Sequence, residues 1–86
     1  MRSKISDKVE VARDIVSAWY SSPSSAVFGH APESYDQIRA GARGVVVGLF
    51  EDEPGQRVVL VLVEPGKNGC NGIRETDLAP LSPAPR

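Results

Sequence analysis

The segment Arg57-Val58-Val59-Leu60-Val61-Leu62-Val63-Glu64 constrains this chain more than any other. It is rich in β-branched and large apolar residues and is bounded by turn chemistry, so it reads as a strand. Side chains alternate between the two faces of a strand, which places Val59, Val61 and Val63 on one side and Val58, Leu60 and Leu62 on the other. A sheet backed by water would leave one of those sets exposed. Burying a residue such as Leu60 stabilises by roughly 1.5–3 kcal/mol, so covering the three residues of the second face is worth several kcal/mol. This strand is therefore expected to be covered twice. The second cover is either the apolar stripe of an N-terminal helix, with Trp19 as its largest contact, or a second subunit.

A partner strand lies just upstream. Gly41-Ala42-Arg43-Gly44 leads into Val45-Val46-Val47-Gly48-Leu49-Phe50, and Glu51-Asp52-Glu53-Pro54-Gly55-Gln56 separates the two apolar runs. Pro-Gly suits a turn with positive φ at the glycine. The short loop makes an antiparallel hairpin the natural pairing. Downstream, Pro65 to Gly72 carries three glycines and two asparagines, which reads as one broad loop or as two tight turns around a short strand. Ile73-Arg74-Glu75 reads as an edge strand. Asp77-Leu78-Ala79-Pro80-Leu81 reads as a short helical turn followed by a closing segment, and 82–86 as a flexible, extended tail.

The N-terminal part reads differently. Val9, Ala12, Val16 and Trp19 recur at helical spacing with Ile5 and Ile15 beside them, which predicts an amphipathic helix over 6–20. Asp7 and Glu10 fit a reciprocal cap, and Ser6 is an alternative. Pro23 is expected to stop the helix at Ser21-Ser22. Residues 21–37 read as a loop or arm that either packs through Phe28 or is partly mobile, with a short helical turn from Pro32 to Gln37 that turns Tyr35 and Ile38 inward.

Length and charge bound the function. An 86-residue chain makes one domain with a small core. Ten basic residues against eleven acidic ones give a net charge of -1, which argues against a strong non-specific hold on nucleic acid or an anionic membrane. A single cysteine excludes an intramolecular disulfide and any multi-thiolate metal site. The longest apolar run, Val58 to Val63, is too short to span a bilayer as a helix. The basic start at Met1-Arg2-Ser3-Lys4 lacks the apolar centre of a signal peptide. The expected setting is the cytoplasm, with no membrane association.

No catalytic constellation is legible. His30 in Gly29-His30-Ala31-Pro32 would need a nucleophile or an orienting carboxylate to act as a base, and it reads as a surface residue. Cys70 between Gly69 and Asn71 reads as an unremarkable thiol rather than a reactive one. Gly66, Gly69 and Gly72 lack the order of a phosphate loop. Glu51-Asp52-Glu53 reads as a solvated hairpin tip. Arg39, Arg43, Arg57 and Arg74 are candidate phosphate contacts, with Arg43 and Arg57 expected at neighbouring ends of the hairpin. No cofactor or metal set is found, and the chain reads as no enzyme.

The Gly-Ala-Arg-Gly entry, the two valine-rich strands and the Asp-Leu-Ala-Pro ending resemble the small bacterial SH3-like barrel modules, over about residues 38–81. Gly41 and Gly44 match the turn glycines, and Asp77, Leu78 and Pro80 match the final turn. The resemblance implies an antiparallel SH3-like barrel, which together with the N-terminal helix read from the spacing makes the expected fold mainly β. It also implies a binding or accessory role rather than a particular chemistry. The acidic first hairpin loop departs from the nucleic-acid-binding members. The expectation is a non-catalytic protein-interaction or accessory module, homo-oligomeric or bound to a protein partner, using Trp19, Phe28, Val58, Leu60 and Leu62. The alternative is RNA or DNA binding through the arginines.

Overall fold

The computed structural model describes residues 3–64 and 68–81. The chain is mainly β: β1 (Lys8–Val11), β2 (Ile15–Tyr20), helix α1 (Pro23–Val27), β3 (Ser34–Ile38), β4 (Arg43–Glu53), β5 (Gln56–Glu64), β6 (Cys70–Arg74), a 3-10 turn at Glu75–Asp77, and β7 (Leu78–Pro80). All seven strands form one antiparallel sheet in the order β3-β2-β6-β5-β4-β1-β7. The sheet is not closed, since no ladder joins β3 to β7 among the described residues. It is nevertheless strongly curled. Ile38 from one edge strand and Leu78 from the other belong to the same inner core, with Val9, Val11, Val46, Val59, Val61 and Ile73.

The β4–β5 hairpin follows the sequence reading, with its turn at Pro54-Gly55 and Gly55 at φ +81°. Its alternation breaks because the register slips between Val46 and Gly48. Val47 is the extra residue of a bulge. Both it and Phe50 pack on the outer side of the sheet, whereas Val46 and Leu49 pack inside.

The N-terminal helix is overturned. Residues 8–20 form two strands instead. Val9 and Val11 are buried against β4 and β7, while Lys8 and Glu10 point away. On β2 it is Ser17, 2% exposed, that is buried, and Val16 is 71% exposed, the reverse of a helical stripe. Asp7 makes no helix cap: its Oδ2 accepts from the Lys4 amide at 2.9 Å and closes a turn that leads into β1. β-branched residues fit a pleated strand well, and pairing with distant strands decides the matter. The connection between β1 and β2 is only Ala12-Arg13-Asp14, yet those strands stand sixth and second in the sheet. The corner is held by the Ala12 amide donating to Asp77 at 2.8 Å, an Arg13–Asp77 ion pair at 3.1 Å and the Ala40 amide donating to Asp14 at 2.8 Å.

The arm at 21–37 is structured. Ser22 caps α1, its hydroxyl accepting from the Ser25 amide, and Pro23 opens the helix, where its missing N–H costs nothing. The expected helical turn at 32–37 is strand β3 instead, with Ile38 buried as anticipated but Tyr35 67% exposed. β6 is central, between β2 and β5, and not an edge strand. The helical turn expected within 77–81 falls earlier, at Glu75–Asp77, and Leu78–Pro80 forms the closing segment as strand β7. The tail assigned to 82–86 lies outside the described residues.

At Leu60, though not at Leu62, the second face of β5 has an in-chain cover. Leu60, fully buried, packs with Ala26 of α1 and Cys70 of β6, and Tyr20, Val47 and Phe50 surround them. On the inner side, Ser17 Oγ donates to the Gly72 carbonyl at 2.8 Å, and Asn71 Nδ2 donates to Asp36 at 3.0 Å, so these buried polar groups are paired. Arg57, Glu75 and Ser3 tie the N-terminal segment down. Arg57 Nε meets Glu75 Oε1 at 3.0 Å, Arg57 Nη2 donates to the Ser3 carbonyl at 2.8 Å, and the Ser3 amide donates to Glu75 Oε2 at 2.7 Å. Burial alone would raise the Glu75 pKa, but the Ser3 amide and the Arg57 charge outweigh it and hold the carboxyl below its ordinary value.

Candidate interaction face

Directly opposed residues on antiparallel neighbours share a face. The register therefore aligns Tyr35, Ala18, Gly72, Leu60 and Gly48 in one row across β3, β2, β6, β5 and β4 on the outer side. Three of the five are Ala or Gly. At one end of the row, Pro23 of α1 descends onto Gly48. Towards the other end the small residues are uncovered and leave a depression of about 240 Å³. Ala18 and Gly72 form its floor, Tyr20, Phe50 and Val58 its apolar walls, and Asp52 and Arg74 its polar rim. A Cβ added at Gly72 would stand 3.3 Å from the Tyr20 ring and 3.4 Å from Val58, so the depression depends on that residue being glycine.

Arg74 is fixed at the rim. Its Nη1 donates to Gln56 at 3.1 Å and its Nη2 meets Asp52 at 3.4 Å. The Tyr20 hydroxyl has its pKa pushed up, first by burial and then by the neighbouring Tyr35, Cys70 and Asp52, so it stays neutral and is able to donate and accept hydrogen bonds. Beyond the depression, Val16 and Tyr35 extend the face to the sheet edge and are 71% and 67% exposed. The arrangement offers an open hollow of mixed character, in which Tyr20, Phe50 and Val58 stand beside the charged pair Asp52 and Arg74.

The residues singled out in sequence disperse over the structure. Val58, 8% exposed, stands in the wall of the depression. Leu60 lies beneath α1, and Leu62 is 37% exposed further along the same strand. Trp19 is on the inner side, half-buried, where its Nε1 donates to the Asn68 carbonyl at 3.0 Å. Phe28 follows α1 and is 76% exposed. Tyr20, Tyr35, Phe50, Ala18 and Gly72 are not among the candidate site residues of the sequence. Alternation along Val16-Ser17-Ala18-Trp19-Tyr20 was the signal that would have placed the β2 members.

The arginines do not converge as expected. Arg43 pairs with Glu64 in the ladder and Arg57 with Glu51, so the two occupy opposite ends of the hairpin. Arg57 is engaged by Glu75 and Ser3, and Arg74 by Asp52 and Gln56. Arg43 instead borders a second hollow of about 230 Å³ with Lys8, Gly44, Val45 and Leu81. Arg39 is exposed in the β3–β4 connection.

Cys70 is 1% exposed within β6 rather than in a glycine loop, and burial raises the pKa of its thiol. His30 is exposed. Among the described residues no three His, Cys, Asp or Glu side chains group as metal ligands, and no helix is long and apolar enough to cross a membrane. No protein-family model matches the chain, and neither a curated protein nor a solved structure matches it.

Proposed function

We propose that this protein is a non-catalytic interaction module that uses its outer sheet face to bind a protein partner. The observation that carries the reading is the glycine- and alanine-floored depression walled by Tyr20, Phe50 and Val58. A hollow that sets aromatic and aliphatic walls beside a charged pair fits an inserted side chain with an apolar stem and a polar end, and exposed Val16 and Tyr35 continue it. Kinship with the small SH3-like modules belongs to this proposal, supported by the turn at Glu75–Asp77 that precedes the short last strand. A cytoplasmic setting belongs to it as well, in keeping with a single cysteine that needs no oxidising compartment.

The test is affinity capture of the tagged protein from its native lysate, treated with nuclease, beside two variants that keep the wild-type circular dichroism. Gly72→Val fills the floor with a side chain that favours strands, and Phe50→Lys sets a charge in the wall. A protein recovered by the wild type and lost by both variants is the expected result. A capture that disappears with nuclease, or that both variants retain, overturns the reading.

A further inference from the structure

The two edges of the sheet are built differently. β7 is three residues long and contains Pro80, which has no N–H to offer a neighbouring strand. Short edge strands and edge prolines are devices that discourage strand addition. β3 has neither of these, and of the other such devices it carries only the inward-facing charge of Asp36. It runs over Ser34-Tyr35-Asp36-Gln37-Ile38 without proline, glycine or lysine, and its five consecutive pairs with β2 contain no bulge. Its one charge, Asp36, faces the inner side, where Asn71 donates to it. Tyr35 stands 67% exposed on the outer side.

We propose that two copies of this chain associate through β3, antiparallel about a two-fold axis at Tyr35, joining their sheets into one. The side chains select a second copy and this register. Centred on Tyr35, the pairing sets Tyr35 against Tyr35 of the second copy, Ser34 against Asp36, and Glu33 against Gln37. Each carboxylate then faces a neutral hydrogen-bonding side chain, and the aromatic pair lies at the axis. Moving the axis to Asp36 would oppose two aspartates, and moving it to Ser34 would bring Pro32 into the ladder opposite Asp36. A net charge of -1 adds little long-range repulsion between copies. This inference goes beyond the partner-binding reading and uses the edge rather than the depression, so the Gly72→Val variant is expected to leave it intact.

The experiment is sedimentation equilibrium from micromolar to millimolar protein, on the wild type, Ser34→Asp and Gln37→Lys. The wild type is expected to dimerise reversibly. Ser34→Asp places like charges opposite each other twice by symmetry and should raise the dissociation constant by about tenfold. Gln37→Lys places a cation opposite Glu33 of the second copy and should lower it several-fold. Both sites are exposed, and thermal melts matching the wild type exclude a folding defect. A monomer at every concentration overturns the proposal and leaves the edge to a strand of another protein. A dimer indifferent to both substitutions overturns it too, because the copies then meet elsewhere.

Discussion

Gly48 and Pro23 pack directly on one another on the outer side of the sheet: a Cβ at Gly48 would lie 3.4 Å from Pro23 Cβ and 2.8 Å from Leu60 Cδ1. This contact seats α1 on β4, beside Leu60 of β5, which Ala26 of the same helix helps to bury. Gly48→Val is expected to force the helix and Leu60 apart, at a cost of about 1–3 kcal/mol for overpacking a filled site. Urea denaturation measures it. A midpoint equal to that of the wild type would mean that α1 does not rest on Gly48.

Glu75 makes stability depend on pH. Its folded pKa is depressed below the ordinary 4.5, with the Ser3 amide and Arg57 overcoming the opposing effect of burial. The stability it contributes is therefore fully present above about pH 4.5 and is lost as pH falls through the lower folded value. Glu75→Gln should flatten that part of the curve of urea midpoint against pH. At neutral pH, Glu75→Ala should cost about 1–3 kcal/mol by stranding the partly buried Arg57.

Two glycines separate backbone strain from crowding. Gly55 and Gly69 both have positive φ, +81° and +94°, but a Cβ at Gly55 meets nothing within 4 Å, whereas at Gly69 it falls 2.6 Å from the Trp19 ring and against the Tyr20 carbonyl. Gly55→Ala should cost about 1–2 kcal/mol, the left-handed penalty alone. Gly69→Ala should cost clearly more in the same thermal or urea assay. Equal losses would remove the close approach of Trp19 to that loop.

The Cys70 thiol should resist modification. It is 1% exposed, and burial raises its pKa, so both access and thiolate are scarce near neutral pH. A disulfide reagent is expected to label it slowly in the folded protein and rapidly in denaturant. Comparable rates in both states would place the thiol at the surface.

The hairpin over 43–64 was legible because its signals are local: two β-branched runs and a Pro-Gly turn within reach of each other. The N-terminal segment was not. Val9, Ala12, Val16 and Trp19 satisfy a helical spacing, while Val9 and Val11 alternate with Lys8 and Glu10 as a strand requires. The tie is broken by β4 and β7, more than thirty residues away, and no window of the sequence contains them. Ser22-Pro23 was misread for a related reason. The same dipeptide that ends one helix opens another, as Ser cap and Pro at the first position. Of the candidate face, Phe50 and Val58 lay on strands the sequence defined. Tyr20 and Ala18 lay on the segment it misassigned, so the row across the sheet could not be assembled.

The three-residue corner between β1 and β2 also dictates the order in which the molecule is completed. During synthesis residues 8–20 leave the ribosome ahead of their partners, since the neighbours of β1 are β4 and β7, and those of β2 are β3 and β6. Residues 8–20 must wait, with Val9, Val11, Ile15 and Trp19 unsheltered, until the strands through β7 have emerged. Non-local pairing of this kind slows folding to milliseconds or longer and leaves apolar segments open to chaperones or to one another meanwhile. A nascent chain stalled before Leu78 would display that N-terminal segment without its final strand, and a truncation there is expected to be a substrate for quality control rather than a smaller working module.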